Sequence, residues 1–365
     1  MRNVIPSMLV AMFILIGGFH SALAAPYWVK PGVYIEYIAQ KYDPYIQYRV
    51  SHGDKPDWIT TSLMIYNYSG VLYVIKTYND TVIRFNLSDE NNGYIISHVQ
   101  IELTNVTVMT VLPKGVHPPA FWKEVDVLSA KTEKSHDPDF KDWTWYMFKL
   151  REVTITGSYL IREADMQVVK NGKAYGHTML FDNPLHPIEK GSTFSKYPFR
   201  TVIGRVAVDN KNSKKWKNIT YYPPLKTVVT ERYSFNLTQP FGKGYPIEIV
   251  QMATLIYTFD ASDGKLIFTP NGGPDLWAVG ILDASFTDEY ALYQVEVRHD
   301  DSYATGIVLK SFRLKGENTG VVVFEKPKVK TSYVFYCSLA ILLLALLIGR
   351  YNKGVKEKTK LDEGE

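Results

Sequence analysis

Two apolar stretches, one near each end, constrain this 365-residue chain more than anything between them. Met8 to Phe19 follows the basic Arg2 and precedes the small-residue run Ala22-Leu23-Ala24, the three-part pattern of a secretory signal. A signal peptide is expected over 1–24, cut after Ala24. The other reading is an uncleaved anchor, for which the stretch is short against a span of ~20 residues. Tyr333 to Gly349 carries no charge and would place Leu, Ile and Ala on every face of a helix, so a transmembrane helix is expected over 332–349. Arg350, Lys353, Lys356, Lys358 and Lys360 follow in the tail 350–365, as stop-transfer residues do. Lys326, Lys328 and Lys330 on the near side leave charge bias indecisive, and the signal peptide sets the orientation. The expectation is a single-pass protein of the cell membrane, ectodomain outside and tail in the cytoplasm, with the lipid bilayer as its first partner.

Cys337, the only cysteine, falls within the expected span, so an ectodomain running from Ala25 to Ser332 holds no disulfide. Such a domain rests on its hydrophobic core, which an aromatic content of 14% can supply. The formal net charge of the whole chain is only +4, which argues against a nucleic-acid partner. Six Asn-x-Ser/Thr sequons, at Asn67, Asn79, Asn86, Asn105, Asn218 and Asn236, all lie between the two apolar stretches. We expect several to carry glycan, against the alternative of incidental sequons in a Thr-rich β protein.

Period-two alternation dominates the ectodomain, as in Val71 to Ile75, Val82 to Phe85, Val153 to Thr156, Thr201 to Ile203, Val228 to Thr230, Tyr293 to Val297 and Val321 to Phe324. Turn pairs separate the runs: Ser69-Gly70, Asn92-Gly93, Asn171-Gly172 and Asp263-Gly264. The expected class is all-β and mainly antiparallel, of sandwich or open-barrel type. An internal echo suggests two related units. Phe85-Asn86-Leu87-Ser88 recurs as Phe235-Asn236-Leu237-Thr238, about 150 residues later. Pro113-Lys114-Gly115 and Pro119 to Trp122 recur as Pro270-Asn271-Gly272 and Pro274 to Trp277. We place β unit 1 at 27–172 and β unit 2 at 173–326; a continuous sheet built from both is the rival arrangement.

The second unit carries a pattern of its own: Gly176-His177-Thr178-Met179-Leu180-Phe181-Asp182-Asn183-Pro184, then Lys190-Gly191 and Phe194, then Tyr257-Thr258-Phe259-Asp260 followed by Asp263-Gly264 and Leu266. Over about ninety residues it resembles uncharacterised archaeal membrane-anchored surface proteins, in which a strand ends in a Tyr-x-x-Asp-x-x-Thr/Asp-Gly-x-Leu hairpin. The resemblance implies an extracytoplasmic location and a β-rich fold, and no activity or functional residue.

Signatures of catalysis are missing from the sequence: no G-x-S-x-G, no H-E-x-x-H, no phosphate-cradling glycine loop and no paired cysteines. Neither a cofactor nor a metal is expected. His136-Asp137-Pro138-Asp139 with Asp142, His299-Asp300-Asp301 and His52-Gly53-Asp54 with Asp57 resemble ligand clusters, but each reads better as a solvated turn. Asp260 to Gly264 lacks the later ligands of a calcium loop and reads as a hairpin. Trp122, Trp143 and Trp145 are the candidate ligand-stacking aromatics, set against an ordinary core strand. The favoured function is a non-enzymatic surface protein with a structural, binding or accessory-subunit role, its partner a surface glycan or a membrane protein. The alternatives are a surface hydrolase acting on polysaccharide or peptide, which needs two carboxylates about 5–10 Å apart, and an accessory subunit of a transporter or secretion complex.

Overall fold

The computed structural model describes residues 26, 28–41, 60–134, 141–183, 187–238 and 246–314, and of 89–91, 235–238 and 246–253 only the backbone. The expected signal peptide, transmembrane helix and tail lie outside the described residues, as do Val321 to Phe324. No helix among the described residues is long and apolar enough to cross a membrane.

Among the described residues strands make up 58% and helix 6%, so the all-β expectation holds. In chain order the first strands are β1 (Tyr34–Ala39), β2 (Ser62–Tyr68), β3 (Val71–Thr77), β4 (Thr81–Asn91), β5 (Tyr94–Pro113), β6 (Val127–Lys134) and β7 (Trp143–Arg162). Then come β8 (Gln167–Lys170), β9 (Lys173–His177), β10 (Thr193–Ser195), β11 (Thr201–Asp209), β12 (Lys214–Trp216), β13 (Ile219–Tyr221) and β14 (Leu225–Thr230). The last are β15 (Tyr233–Thr238), β16 (Pro246–Ala253), β17 (Ile256–Asp260), β18 (Leu266–Thr269), β19 (Ile281–Phe286) and β20 (Ile307–Arg313). Two helices interrupt them, α1 (Pro274–Trp277) and α2 (Glu289–Glu296).

Twelve strands form a closed antiparallel barrel in the order β5-β4-β1-β20-β18-β17-β14-β11-β10-β9-β8-β7, and the β5–β7 pairing shuts the ring. The expected sandwich or open barrel is thus replaced by a closed one. Strands from both sides of residue 172 enter it. The expected boundary falls in the Asn171-Gly172 turn between the adjacent strands β8 and β9. Both turn residues are left-handed (φ 50° and 73°), as are Asn92-Gly93 (53° and 77°) between β4 and β5. That is the backbone a two-residue hairpin needs to match strand twist. The echoed segments lie in two hairpins of different setting: β4–β5 in the barrel wall, and β15–β16 as a separate two-stranded sheet.

Inward positions are apolar: Ile35 and Tyr37 on β1, Ile83 and Phe85 on β4, Ile101 and Leu103 on β5, Tyr257 and Phe259 on β17. Outward positions are polar and accessible, such as His98, Gln100 and Glu102 on β5 and Glu152, Thr154 and Thr156 on β7. A membrane-spanning barrel has the reverse pattern, apolar outside and polar within. The lumen is filled by the chain itself. Gly272 to Val279 are all buried, and a Cβ on Gly273 would lie 2.3 Å from the Tyr257 hydroxyl. On the far side, Val279 presses on Gly157 of β7, where a Cβ would come within 2.6 Å of its methyl carbon. Since β17 and β7 stand opposite each other in the ring, this α1 segment bridges the barrel's walls.

The two long strands carry the fold beyond the barrel. β5 and β7 pair from Tyr94 against Arg162 to Pro113 against Trp143 without a register shift. Beside the barrel, β5 also pairs with β4; further along it pairs with β3. The buried set then changes parity: Ile101, Leu103 and Val153 are odd-numbered, whereas Val106, Val108, Leu112, Tyr146 and Leu150 are even. The change falls at Asn105, whose backbone is left-handed (φ 52°), so one ribbon serves two cores, one on either side of that residue along its length. The second core belongs to a six-stranded arm, β19-β2-β3-β5-β7-β6. The loop after β5 covers it: Tyr73 Oη donates to the Pro119 carbonyl (2.6 Å) and Tyr146 Oη to that of Val116 (2.9 Å).

Two expected elements differ. Tyr293 to Val297, expected as a strand, lies largely in α2, because Asp288 caps the helix by accepting from Ala291 N at 3.0 Å. Pro274 to Trp277, expected as a turn plug, is a short helix inside the barrel.

Candidate binding surface

The arm has a covered even face and an open odd one, and the three candidate tryptophans are divided between them. Trp122 packs on the even side, its ring 4.7 Å from Phe148 and 4.9 Å from Phe121. Phe121 in turn lies edge-on to Tyr66 at 4.9 Å and Tyr73 at 5.1 Å. Trp122, Phe121 and Phe148 are half-buried in this cluster, which is reached through the loop after β5. Trp143 and Trp145 share the odd face of β7 with Met147, and Trp145 (39% exposed) and Met147 (38%) stand out from it. Alternation along β7 put Trp143 and Trp145 on one face, but nothing in the sequence told which face the core would take.

Cross-strand register turns this face into ordered rows. One row runs Lys131, Met147, Met109, Val74, Ile65, Asp283, each residue directly paired with the next across six strands. Exposure falls along it, from Lys131 and Met147 in the open, through half-buried Met109 and Val74, to buried Ile65. Glu133, Trp145 and Val111 form the neighbouring row. Val125 (74% exposed) and Leu128 (59%) are exposed at the β6 end, away from this face, since a bulge opposes Val127 and Leu128 to Leu150 of the even side. Burial raises the Asp283 carboxyl from 3.8 to about 6 at the inner end of the first row.

The carboxylates most withdrawn from water serve other places. Asp275, in the barrel lumen, accepts from Tyr159 Oη (2.5 Å), Thr178 Oγ1 (2.6 Å) and Met179 N (2.5 Å). Burial drives its carboxyl upward against these three donors. Asp182 accepts from Lys226 Nζ (2.6 Å) and Ile188 N (2.8 Å), with both ionic side chains about nine-tenths buried. Asp288 holds three segments together, accepting from Ala291 N, the Trp216 indole (2.9 Å) and Gln40 N (3.3 Å), and burial lifts it to about 6. Each is engaged by donors from several elements, in separate parts of the fold.

The remaining candidates are turns. Asp300 Oδ1 accepts from Ser302 N and from the Ser302 hydroxyl, which pulls its carboxyl below the ordinary range. Asp260 Oδ1 accepts from Ser262 N (2.8 Å) and Ser262 Oγ (2.5 Å), closing the β17–β18 hairpin. Asp142 is exposed, and its carbonyl accepts from Lys114 N. His52, Asp54, Asp57, His136, Asp137 and Asp139 lie outside the described residues. Among the described residues, no group of three or more His, Cys, Asp or Glu side chains is placed to hold a metal.

Of the sequon asparagines, Asn67, Asn86, Asn105 and Asn218 are exposed. Asn79 is half-buried and accepts from Lys41 Nζ at 3.1 Å, and Asn236 lies in β15. None falls between Asn105 and Asn218, so β6 and β7 carry no sequon. The residues quoted for the surface-protein resemblance meet at one barrel corner: Asp182 N donates to Gly264 O (2.8 Å), Leu266 N to Leu180 O (3.0 Å), and Phe181 bridges Lys265. No family model matches the chain, and comparison with curated proteins and with solved structures gave no match either.

Proposed function

We propose that this chain is a non-enzymatic, glycosylated surface protein, exported by residues 1–24, anchored by 332–349, and acting as a binding or accessory subunit for a membrane-protein partner. The observation that carries this reading is the odd face of the arm. Two of the exposed large apolar side chains, Trp145 and Met147, stand on that face of β7, and neither β6 nor β7 carries a sequon. Large apolar side chains exposed two apart on one strand face favour an interaction site. A sugar platform pairs a ring with hydroxyl- or amide-binding groups. Here Trp145 stands between Glu133 and Val111, and Met147 between Lys131 and Met109. Polarizable thioethers beside an indole suit a protein surface better.

The test is chemical cross-linking in the native membrane, comparing the wild-type chain with the double variant Trp145→Ala/Met147→Ala. The expected result is an adduct with a membrane protein that drops at least ~10-fold in the variant while its thermal unfolding stays unchanged, since exposed truncations cost about 0.5 kcal/mol or less. Equal adducts from both chains, or adducts to glycan alone, would sink the reading.

A further inference from the structure

Strand β6 ends the sheet: β7 holds one of its edges, and among the described residues no strand holds the other. From Leu128 to Lys134 the strand is exposed throughout. Such an edge presents unpaired backbone N–H and C=O groups, a template for another strand. Lys131 and Glu133 lie on its odd face, ion-paired with each other and 68% and 50% exposed.

We propose that β6 pairs antiparallel with β6 of a second copy of this chain about a two-fold axis through Thr132, making a symmetric dimer joined by one continuous sheet. Charge selects the register. A two-fold axis normal to the sheet sets each residue opposite one of its own face, so only registers centred on a residue are allowed. Centring on Lys131 opposes two lysines, and centring on Glu133 opposes two glutamates; like charges directly opposite are destabilising. Centring on Ala130 leaves Lys131 against Ser129 and Glu133 against Val127. Centring on Thr132 sets Lys131 against Glu133 of the second copy and Glu133 against its Lys131, so the two intrachain pairs are exchanged for two reciprocal ones between chains. The rows then join across the axis, Met147-Lys131 running into Glu133-Trp145 of the second copy, and the two open faces become one. The inference rests on the sheet edge alone and stands whether or not that face takes a further partner.

Sedimentation equilibrium of the full chain in detergent tests it. The wild-type chain is expected to dimerise, with Lys131→Glu alone or Glu133→Lys alone raising the dimer dissociation constant at least ~10-fold. The double variant Lys131→Glu/Glu133→Lys restores the wild-type value. In a Cys337→Ser background, oxidation should cross-link Thr132→Cys chains, since directly opposed residues lie within disulfide reach. Lys134→Cys chains, whose partner position is Ala130, should stay unlinked. A monomer at every concentration, a dimer indifferent to both single reversals, or equal cross-linking at 132 and 134 would each overturn the proposal.

Discussion

At the scale of single residues, this fold commits its buried charge to fixed partners, and stability should report it. Lys226 and Asp182 form a buried pair at 2.6 Å. Removing one partner strands the other charge, so Lys226→Met is expected to destabilise by about 3–5 kcal/mol, with most of that recovered in Lys226→Met/Asp182→Leu. Denaturant unfolding of the three chains measures this. Asp283 and Asp288 have the opposite character. Burial lifts both from 3.8 to about 6, so the folded state holds their protons more tightly than the unfolded one. Their contribution is therefore fully present below about pH 4 and lost as pH rises through about 6. Glu36, hydrogen-bonded to Tyr34 and Arg84 and paired with Lys310, is held near 2 although burial opposes this, and its contribution is lost only as pH falls from about 4.5 toward 2. Melting temperature should fall between pH 4.5 and 7, and Asp283→Asn should flatten that fall. A melting temperature that climbs over this interval would contradict the placement of both acids. None of this was legible in the sequence, where Asp288 sits in an ordinary Thr-Asp-Glu run and only its three donors from distant segments mark it out.

At the scale of elements, what the sequence made legible was local. Asn92-Gly93 and Asn171-Gly172 announce hairpins because only a few residue types accept two left-handed positions in succession, and both hairpins are where the dipeptides stand. Alternation located the strands at Val71 to Ile75, Val82 to Phe85 and Val153 to Thr156. It failed at Tyr293 to Val297, where a short stretch fits either period and the Asp288 cap decided for helix. The α1 segment shows the limit most clearly. Pro274 to Trp277 looked like a core plug beneath a turn, and its tryptophan is indeed buried (2% exposed), but its place inside the barrel depends on Tyr257 and Gly157 from opposite walls. Gly273→Ala puts a methyl 2.3 Å from the Tyr257 hydroxyl. Such overpacking is expected to destabilise by about 1–3 kcal/mol, a loss that urea unfolding would register, and Tyr257→Phe in the same chain should relieve part of it.

At the scale of the whole molecule, closure of the ring was the feature no local pattern contained. Periodicity tells which side of a strand faces inward, not which distant strand lies beside it. The β1–β20 pairing joins Tyr34 to Arg313, and β1 is also the neighbour of β4, so the ring is completed by the earliest and the latest of its strands. A chain ending at residue 306 lacks β20 and leaves β1 and β18 without their shared neighbour. It is expected to lose near-ultraviolet circular dichroism and to be cut rapidly by trypsin, whereas retention of both properties would show that the ring tolerates a gap. The same arrangement sets a timetable for biogenesis. However early its hairpins form, a chain made from its head onward must wait, with one seam unstitched, until residue 313 has emerged. During that interval it depends on its surroundings to keep that seam from being sewn to a neighbour.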